Sequence, residues 1–417
     1  MQNKSGDSIH SSPPPEVASR VRAPTFLGRL VRAIPAVLFL VALVWIFGHV
    51  GILHRLETIT SDTEMLLNRG PKESQVALVT ITDEDYRSLF GGTSPLRPEK
   101  LEGLINVIAK GAPAVICVDV DTSSVTFRDR LKIHNWRPRL VWEREIRYLP
   151  EDAGLAHSGG IEPLDVLGRR TDLDPSRNST GLPVLIEDAE DKVTRRYRRL
   201  IKTSVGDLPS LPWAVVKAYF QNRQEDLAEL PESGEDLLIR FVPDKQHSLR
   251  INLSASRVQQ LASEWPEASP IRNKIVILGG SYGDQDRHDT PIGRLTGSEV
   301  LANVVETELN GGGFKPPSEL LLFTLEIFEA FVLVLLFHLC RFSTALVTSI
   351  LLAPALAVAC SRVAFRDWIN VWHFLPIILG LILVEAYEHY RRTLVPRLYH
   401  DIVGTRRDQG GGPKGMA

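Results

Sequence analysis

Four apolar blocks, 33–53, 320–340, 342–360 and 369–387, constrain this chain more than any other feature. Each approaches the ~20 residues that a helix needs to cross the hydrocarbon core of a bilayer. Lipid leaves no partner for an unpaired backbone N–H or C=O, so such blocks read as transmembrane helices. The first has an apolar core longer than the ~7–15 residues of a signal peptide, and no small-x-small cleavage site follows it. It reads as an uncleaved anchor. The chain therefore divides into a basic tail 1–32, a span 33–53, a polar domain 54–317, spans 320–340, 342–360 and 369–387, and a tail 388–417.

Basic flanks set the expected orientation. Residues 1–32 hold five Lys/Arg, and residues 391–417 hold six. Positive charge is retained on the cytosolic side, so both termini are expected there. An even number of spans then puts 54–317 outside the cytosol, in a protein of the cytoplasmic membrane. The short loops point the other way: Arg362 and Arg366 fall on the outer side and only Arg341 on the inner turn. The two long termini outweigh them. A net charge of −2 over 417 residues does not suggest nucleic-acid binding. Cys117, Cys340 and Cys360 form neither a disulfide framework nor a Cys-x-x-Cys pair.

The polar domain carries strand and helix signals in alternation. "VALVTI" at 76–81 is a short β-rich run followed by "TDEDY". Pro98 opens a helical pattern with Leu101, Leu104, Ile105 and Ile108 on one face, and Gly111 ends it. "AVICV" at 114–118 is a second strand, closing on Asp119. Strand, helix, strand implies parallel pairing. Residues 275–278 repeat the plan, and the loop "GGSYGDQDRHDTPIG" follows from 279 to 293. Thr296-Gly-Ser-Glu299 fits a capping box, and a helix should run on to Gly311-Gly312-Gly313. Further strands are expected at 184–186 and 237–241, a helix at 211–221, and an irregular insertion at 150–182. The fold class is an α/β domain on a largely parallel sheet with βαβ units, plus a four-helix transmembrane region.

Three apolar strands thus end at polar positions: Asp83, Asp119 and the 284–289 loop. Ligands of open α/β sheets bind beyond the carboxyl ends of the strands. Asp83, Arg97, Asp119, Asp284, Asp286, Thr290 and Asn303 are accordingly the candidate ligand-binding residues. Capping of a turn or helix is the competing role for the two strand-end aspartates. The loop lacks Gly-Lys-Ser/Thr and Gly-x-Gly-x-x-Gly, so it is neither a P-loop nor a dinucleotide fingerprint. Asp284-Gln-Asp286 resembles a calcium loop only at its start, since no Gly holds the sixth position and Leu295 stands where Glu should be. His288 lies between carboxylates as a conceivable metal ligand. No Gly-x-Ser-x-Gly elbow is present. No catalytic residue, metal site or cofactor is assigned. Glu326 and Glu329 share one face of the second span, where ionisable groups face other helices or a cavity.

Several stretches resemble the type 2 CHASE sensory domain, an extracytoplasmic input module of bacterial receptors. They are "VALVTITDEDYRSLFG", "SPLRPEKLEGLINVIAKGAPAVICVDV", "DKVTRRYRRL", "LPSLPWAVVKAY" and "KIVILGGSYGDQDRHDTPIGRLTGSEVLANVVETELNGG". The likeness covers about residues 55–390, three C-terminal spans included. This chain departs from the family at Thr93-Ser94-Pro95-Leu96-Arg97, which lacks both tryptophans of the Trp-Pro-Trp-Pro-Arg element. Leu301 stands where the family has His, and Lys192 where it has a turn Gly. Relatives often carry a catalytic output after the last span, and residues 388–417 bear no such signature.

The resemblance implies a membrane-anchored sensor without its own catalytic output. It would bind an unknown small ligand or extracytoplasmic partner and relay to a separate cytosolic effector, and a homodimer is also allowed. Two alternatives stand beside it. One is an extracytoplasmic metal-dependent hydrolase using Asp83, Asp119 and the 284–289 carboxylates. The other is a transport or pore protein using Glu326 and Glu329.

Overall fold

The computed structural model describes residues 73–314 except 133–137, 149–160, 169–173, 175, 225–231, 243–249, 264, 266–268 and 284–285, with isolated positions at 42, 62 and between 320 and 351. Asp284, Glu326 and Glu329 lie outside the described residues, as do the bodies of the four predicted spans. Among the described residues no helix is long and apolar enough to cross a membrane.

The strands are β1 (Val76–Ile81), β2 (Val115–Asp119), β3 (Arg139–Glu143), β4 (Ile146–Tyr148), β5 (Ile161–Pro163), β6 (Asn178–Gly181), β7 (Ile186–Glu187), β8 (Thr194–Tyr197), β9 (Leu200–Thr203), β10 (Gly206–Pro209), β11 (Leu237–Leu238), β12 (Ile251–Ser254), β13 (Ile275–Gly280), β14 (Arg287–Thr290) and β15 (Gly293–Thr296). The helices are α1 (Asp83–Ser88), α2 (Pro98–Lys110), α3 (Val125–Arg130), α4 (Leu211–Arg223), α5 (Ala255–Leu261) and α6 (Gly297–Leu309).

Six strands form one sheet in the order β12-β1-β13-β2-β3-β6. All five pairings within it are parallel. The apolar run of β1 follows from burial on both faces. Ala77, Val79 and Ile81 pack with Leu101, Leu104 and Ile108 of α2 and Val258 of α5. Val76 and Leu78 point the other way, toward Trp213 and Val216 of α4 and Leu301 and Val305 of α6. Strands buried on both sides lose the apolar–polar alternation and become continuous hydrophobic runs. The arrangement is a three-layer, doubly wound α/β domain.

Smaller antiparallel units lie beside the sheet. β8 sits between β11 and β7 in a three-stranded sheet, and β14 pairs with β15. Tyr197, Leu237, Ile239 and Phe241 pack against Val300 and Val304, the side of α6 turned away from the main sheet.

Several expectations change. The stretch 150–182 contributes β6, an edge strand of the main sheet, where an irregular insertion was expected. The strands expected at 184–186 and 237–241 are the short β7 and β11. The stretch 279–293, expected as a loop, contains the end of β13 and the whole of β14. Gly279 and Gly280 belong to β13, and positive φ falls on Gly283 and Gly293 instead.

Candidate functional site: a switch-point crevice

β13 lies between β1 and β2, and the three strands part company at their carboxyl ends. β1 and β2 lead to α2 and α3, which share one hydrophobic core, whereas β13 leads to α6 in the opposite core. Helices leaving to opposite faces mark a topological switch point, and α/β domains receive ligands in the crevice beyond such a point.

The α6 side of this crevice is built by a capping box. Thr296 Oγ1 accepts from Glu299 N at 3.3 Å, and Glu299 Oε2 accepts from Thr296 N at 2.8 Å. This fixes the first turn and turns Ser298, fully buried, toward β2. Its hydroxyl donates to Asp119 Oδ2 at 2.7 Å. Gly279 is required between them, since a Cβ there would collide with Ser298 Oγ and lie 3.0 Å from Asp119 Oδ2.

Asp119 sits among other acids. Burial, and then the negative charges of Asp286 and Glu145, raise its pKa to about 6, against the opposing effects of the Ser298 hydrogen bond and His288. Glu143, at the end of β3, is pushed well above the ordinary carboxylate range by burial and then by Asp119, Glu145 and Asp121. The one imidazole of this group is His288 on β14. Its Nε2 lies 3.3 Å from Asp286 Oδ1, and its Nδ1 lies 3.7 Å from Glu187 Oε1 on β7. The hydrogen bond with Asp286 raises the His288 pKa, against the opposing effect of burial. On the β1 side, Tyr86 and Tyr282 stack with centroids 4.4 Å apart.

The structure sorts the residues singled out from the sequence. Asp83 and Asp119 follow parallel strands, so both lie at the carboxyl end of the sheet, on either side of β13. Asp83 is exposed, and its Oδ1 accepts from Gly283 N at 3.1 Å, fastening the loop after β13. Its neighbour Asp85 is the buried acid of "TDEDY". That carboxylate caps α1 through Thr82 and accepts from Ala255 N and Ser256 N at 3.2 Å each, tying α5 to α1. Arg97 is exposed at the N-cap of α2 and lies across Gly91. Thr290 closes the β14–β15 turn, donating to Gly293 O at 2.5 Å. Asn303 is buried in α6, donates to Glu299 O at 2.8 Å, and accepts from Arg250 Nη2 at 3.3 Å. Arg250 directly precedes β12, so this contact faces the amino end of the sheet, away from Asp119. The structure thus gathers Asp119 and Asp286 and leaves Asn303 apart.

Sequence reasoning passed over Glu143, Glu145, Asp121 and Glu187. The signal for Glu143 was present, because Leu140-Val-Trp142 followed by an acid repeats the pattern of Val115–Asp119. Among the described residues no group of three or more His, Cys, Asp or Glu is arranged to hold a metal ion.

Fold and crevice define a doubly wound α/β domain with an acid-lined switch point. The chain belongs to the CHASE2 domain family, whose match spans residues 36–340. It therefore carries a sensory domain of the extracytoplasmic kind. No curated protein and no solved structure matches the chain.

Proposed function

We propose that the chain is a membrane-anchored extracytoplasmic sensor, without catalysis of its own, whose switch-point crevice receives an unidentified small ligand or partner. The domain then relays to a cytosolic effector through α6. The carrying observation is the Ser298–Asp119 hydrogen bond, which joins the crevice to the first turn of the helix that leads toward the 320–340 block. A ligand that favours one arrangement of Asp119 shifts the population of α6 positions by its difference in affinity. Support for the membrane anchor comes from described helical positions beyond the domain. Leu320, Phe323, Phe328, Phe331, Val347 and Leu351 present exposed apolar side chains, as lipid contact requires.

Two measurements on the full chain test this reading. Alkaline phosphatase fused after Pro317 should be active, and a fluorescent protein fused to the C-terminus should fluoresce in the cytosol; the reverse pattern overturns the topology. A thermal-shift screen of amines, amino acids, sugars and divalent cations should yield a stabilising compound whose effect is lost in Asp119→Asn. Compounds that stabilise both proteins equally, or no stabilising compound at all, remove the crevice as the receiving site.

A further inference from the structure

β8 touches three parts of the domain that are distant in sequence. Arg195, on this strand, is buried and fully committed to carboxylates. Its Nε and Nη2 donate to the two oxygens of Asp62 at 2.8 and 2.9 Å. Its Nη1 donates to Asp188 at 2.8 Å and to Asp191 at 2.9 Å. Asp62 is a helical residue close after the 33–53 block. Two positions on, and so on the same face of the strand, the hydroxyl of Tyr197 donates to Glu308 Oε1 at 2.6 Å and accepts from Gly313 N at 3.0 Å. Arg199 completes the grip with two bonds to Glu308, at 2.8 and 2.9 Å. Glu308 lies in the last turn of α6, and Gly313 lies in the stretch that leads toward 320–340. Gly313 has to be glycine, because a Cβ would meet Leu238 O at 2.6 Å and Tyr197 Cε1 at 3.0 Å.

The other end of the strand reaches the crevice. Val193, just before β8, bridges Asp289 of β14 in parallel. Glu187 of β7, which pairs with β8, approaches His288. One short strand therefore contacts the hairpin of the crevice, the segment after the first apolar block and the segment before the second.

We propose that β8, with Arg199 two residues past its end, is a coupling bar: by holding Asp62 through Arg195 and the end of α6 through Tyr197 and Arg199, it makes the two segments adjoining the predicted spans 33–53 and 320–340 move together. A signal reaching β14 then displaces both segments at once. Coupling between distant sites needs a contiguous packed or hydrogen-bonded element that both sites bias. Buried arginine–carboxylate contacts suit that task, since breaking one leaves an uncompensated charge and partial slippage is penalised. The inference rests on the sensor reading only for the use to which the motion is put.

Hydrogen exchange on the full chain in lipid nanodiscs tests it. Asp62→Asn, at a side chain 25% exposed, weakens only the Arg195 side. It should raise exchange about tenfold in peptides covering 305–314 as well as in those covering 55–68. Tyr197→Phe, which keeps the ring, should do the same to the 55–68 peptides. Glu299→Ala, which opens α6 at its far end, should leave 55–68 unchanged. Effects confined to each variant's own side overturn the proposal. So does a uniform rise that includes β1 and β13, which would make β8 an ordinary strut of the core. The readout needs neither ligand nor effector, so its failure leaves the sensor reading of the crevice standing.

Discussion

The two ends of α6 handle carboxylates in opposite ways. Near its C-terminus, Glu306 and Glu308 are buried, and each has its own arginine. Arg250 Nη2 lies 2.5 Å from Glu306 Oε2, and Arg199 takes Glu308 with two bonds. Arg199 also lies over the Trp213 ring, 4.7 Å from its centroid. Near its N-terminus, Asp119 faces Ser298 and is surrounded mainly by other acids, with His288 as the nearby base. A buried acid with a matched arginine is locked, because either partner alone would be stranded. A half-buried acid among acids is poised, because protonation, a cation or a rearrangement can each relieve it. One helix thus joins a poised end to a locked one.

Breaking the locked end should have the largest effect. Glu308→Gln leaves Arg199 buried without its countercharge and should cost about 3–5 kcal/mol of stability. Denaturant titration of the full chain in detergent checks this. A loss below about 1 kcal/mol would show that the end of α6 is held by packing alone, and the contrast between the two ends would collapse.

The poised end should reveal itself in pH. The folded pKa of Asp119, about 6, lies above its unfolded value of about 3.9. The folded state therefore binds more protons between those values. The stability contributed by this group is fully present below about pH 4 and is lost as pH rises through about 6, on the order of 1–3 kcal/mol. Glu143 and His288, also shifted upward, act in the same direction. Asp191 has the opposite sign. Its hydrogen bond with Arg195 lowers its pKa, so its contribution is present above the unfolded value and lost as pH falls. Asp119→Asn should flatten the slope of stability between pH 4 and 6. An unchanged slope would mean that Asp119 is not the group that titrates.

The smallest effect should come from Asp83→Ala. The carboxylate is exposed and, among the described residues, makes one bond, to Gly283 N. Its loss should cost about 0.5–1 kcal/mol. It should leave the stabilisation by any crevice-binding compound unchanged in the thermal-shift measurement. Loss of that stabilisation would bring Asp83 into the receiving site and extend the poised region across β13.

Local signals carried far in this chain where a pattern is dense. The apolar runs of β1, β2 and β13, the face of α2 and the capping box at Thr296 are all legible, because strand burial and helix capping act over a few residues. The edge strand β6, "NSTG", has no apolar run at all. It forms because β3 offers it a partner from Leu140↔Asn178 to Glu143↔Gly181. In "TDEDY" the capping box from Thr82 to Asp85 singles out Asp85 locally, and the approach of α5 adds its tertiary partners Ala255 N and Ser256 N.

The sequence by itself determined a parallel α/β domain between apolar blocks, with acids at the ends of its strands. Burial on both faces demands continuous apolar strands, and continuous apolar strands are visible in any window. Tertiary structure decided which acids meet. Placing β13 between β1 and β2 put Ser298 on Asp119 and set the switch point there. Arg195, Tyr197 and Arg199 find Asp62 and Glu308 across more than a hundred residues of chain. Charge pairing of that range leaves no periodicity to read, because its partners are chosen by the packing of whole elements.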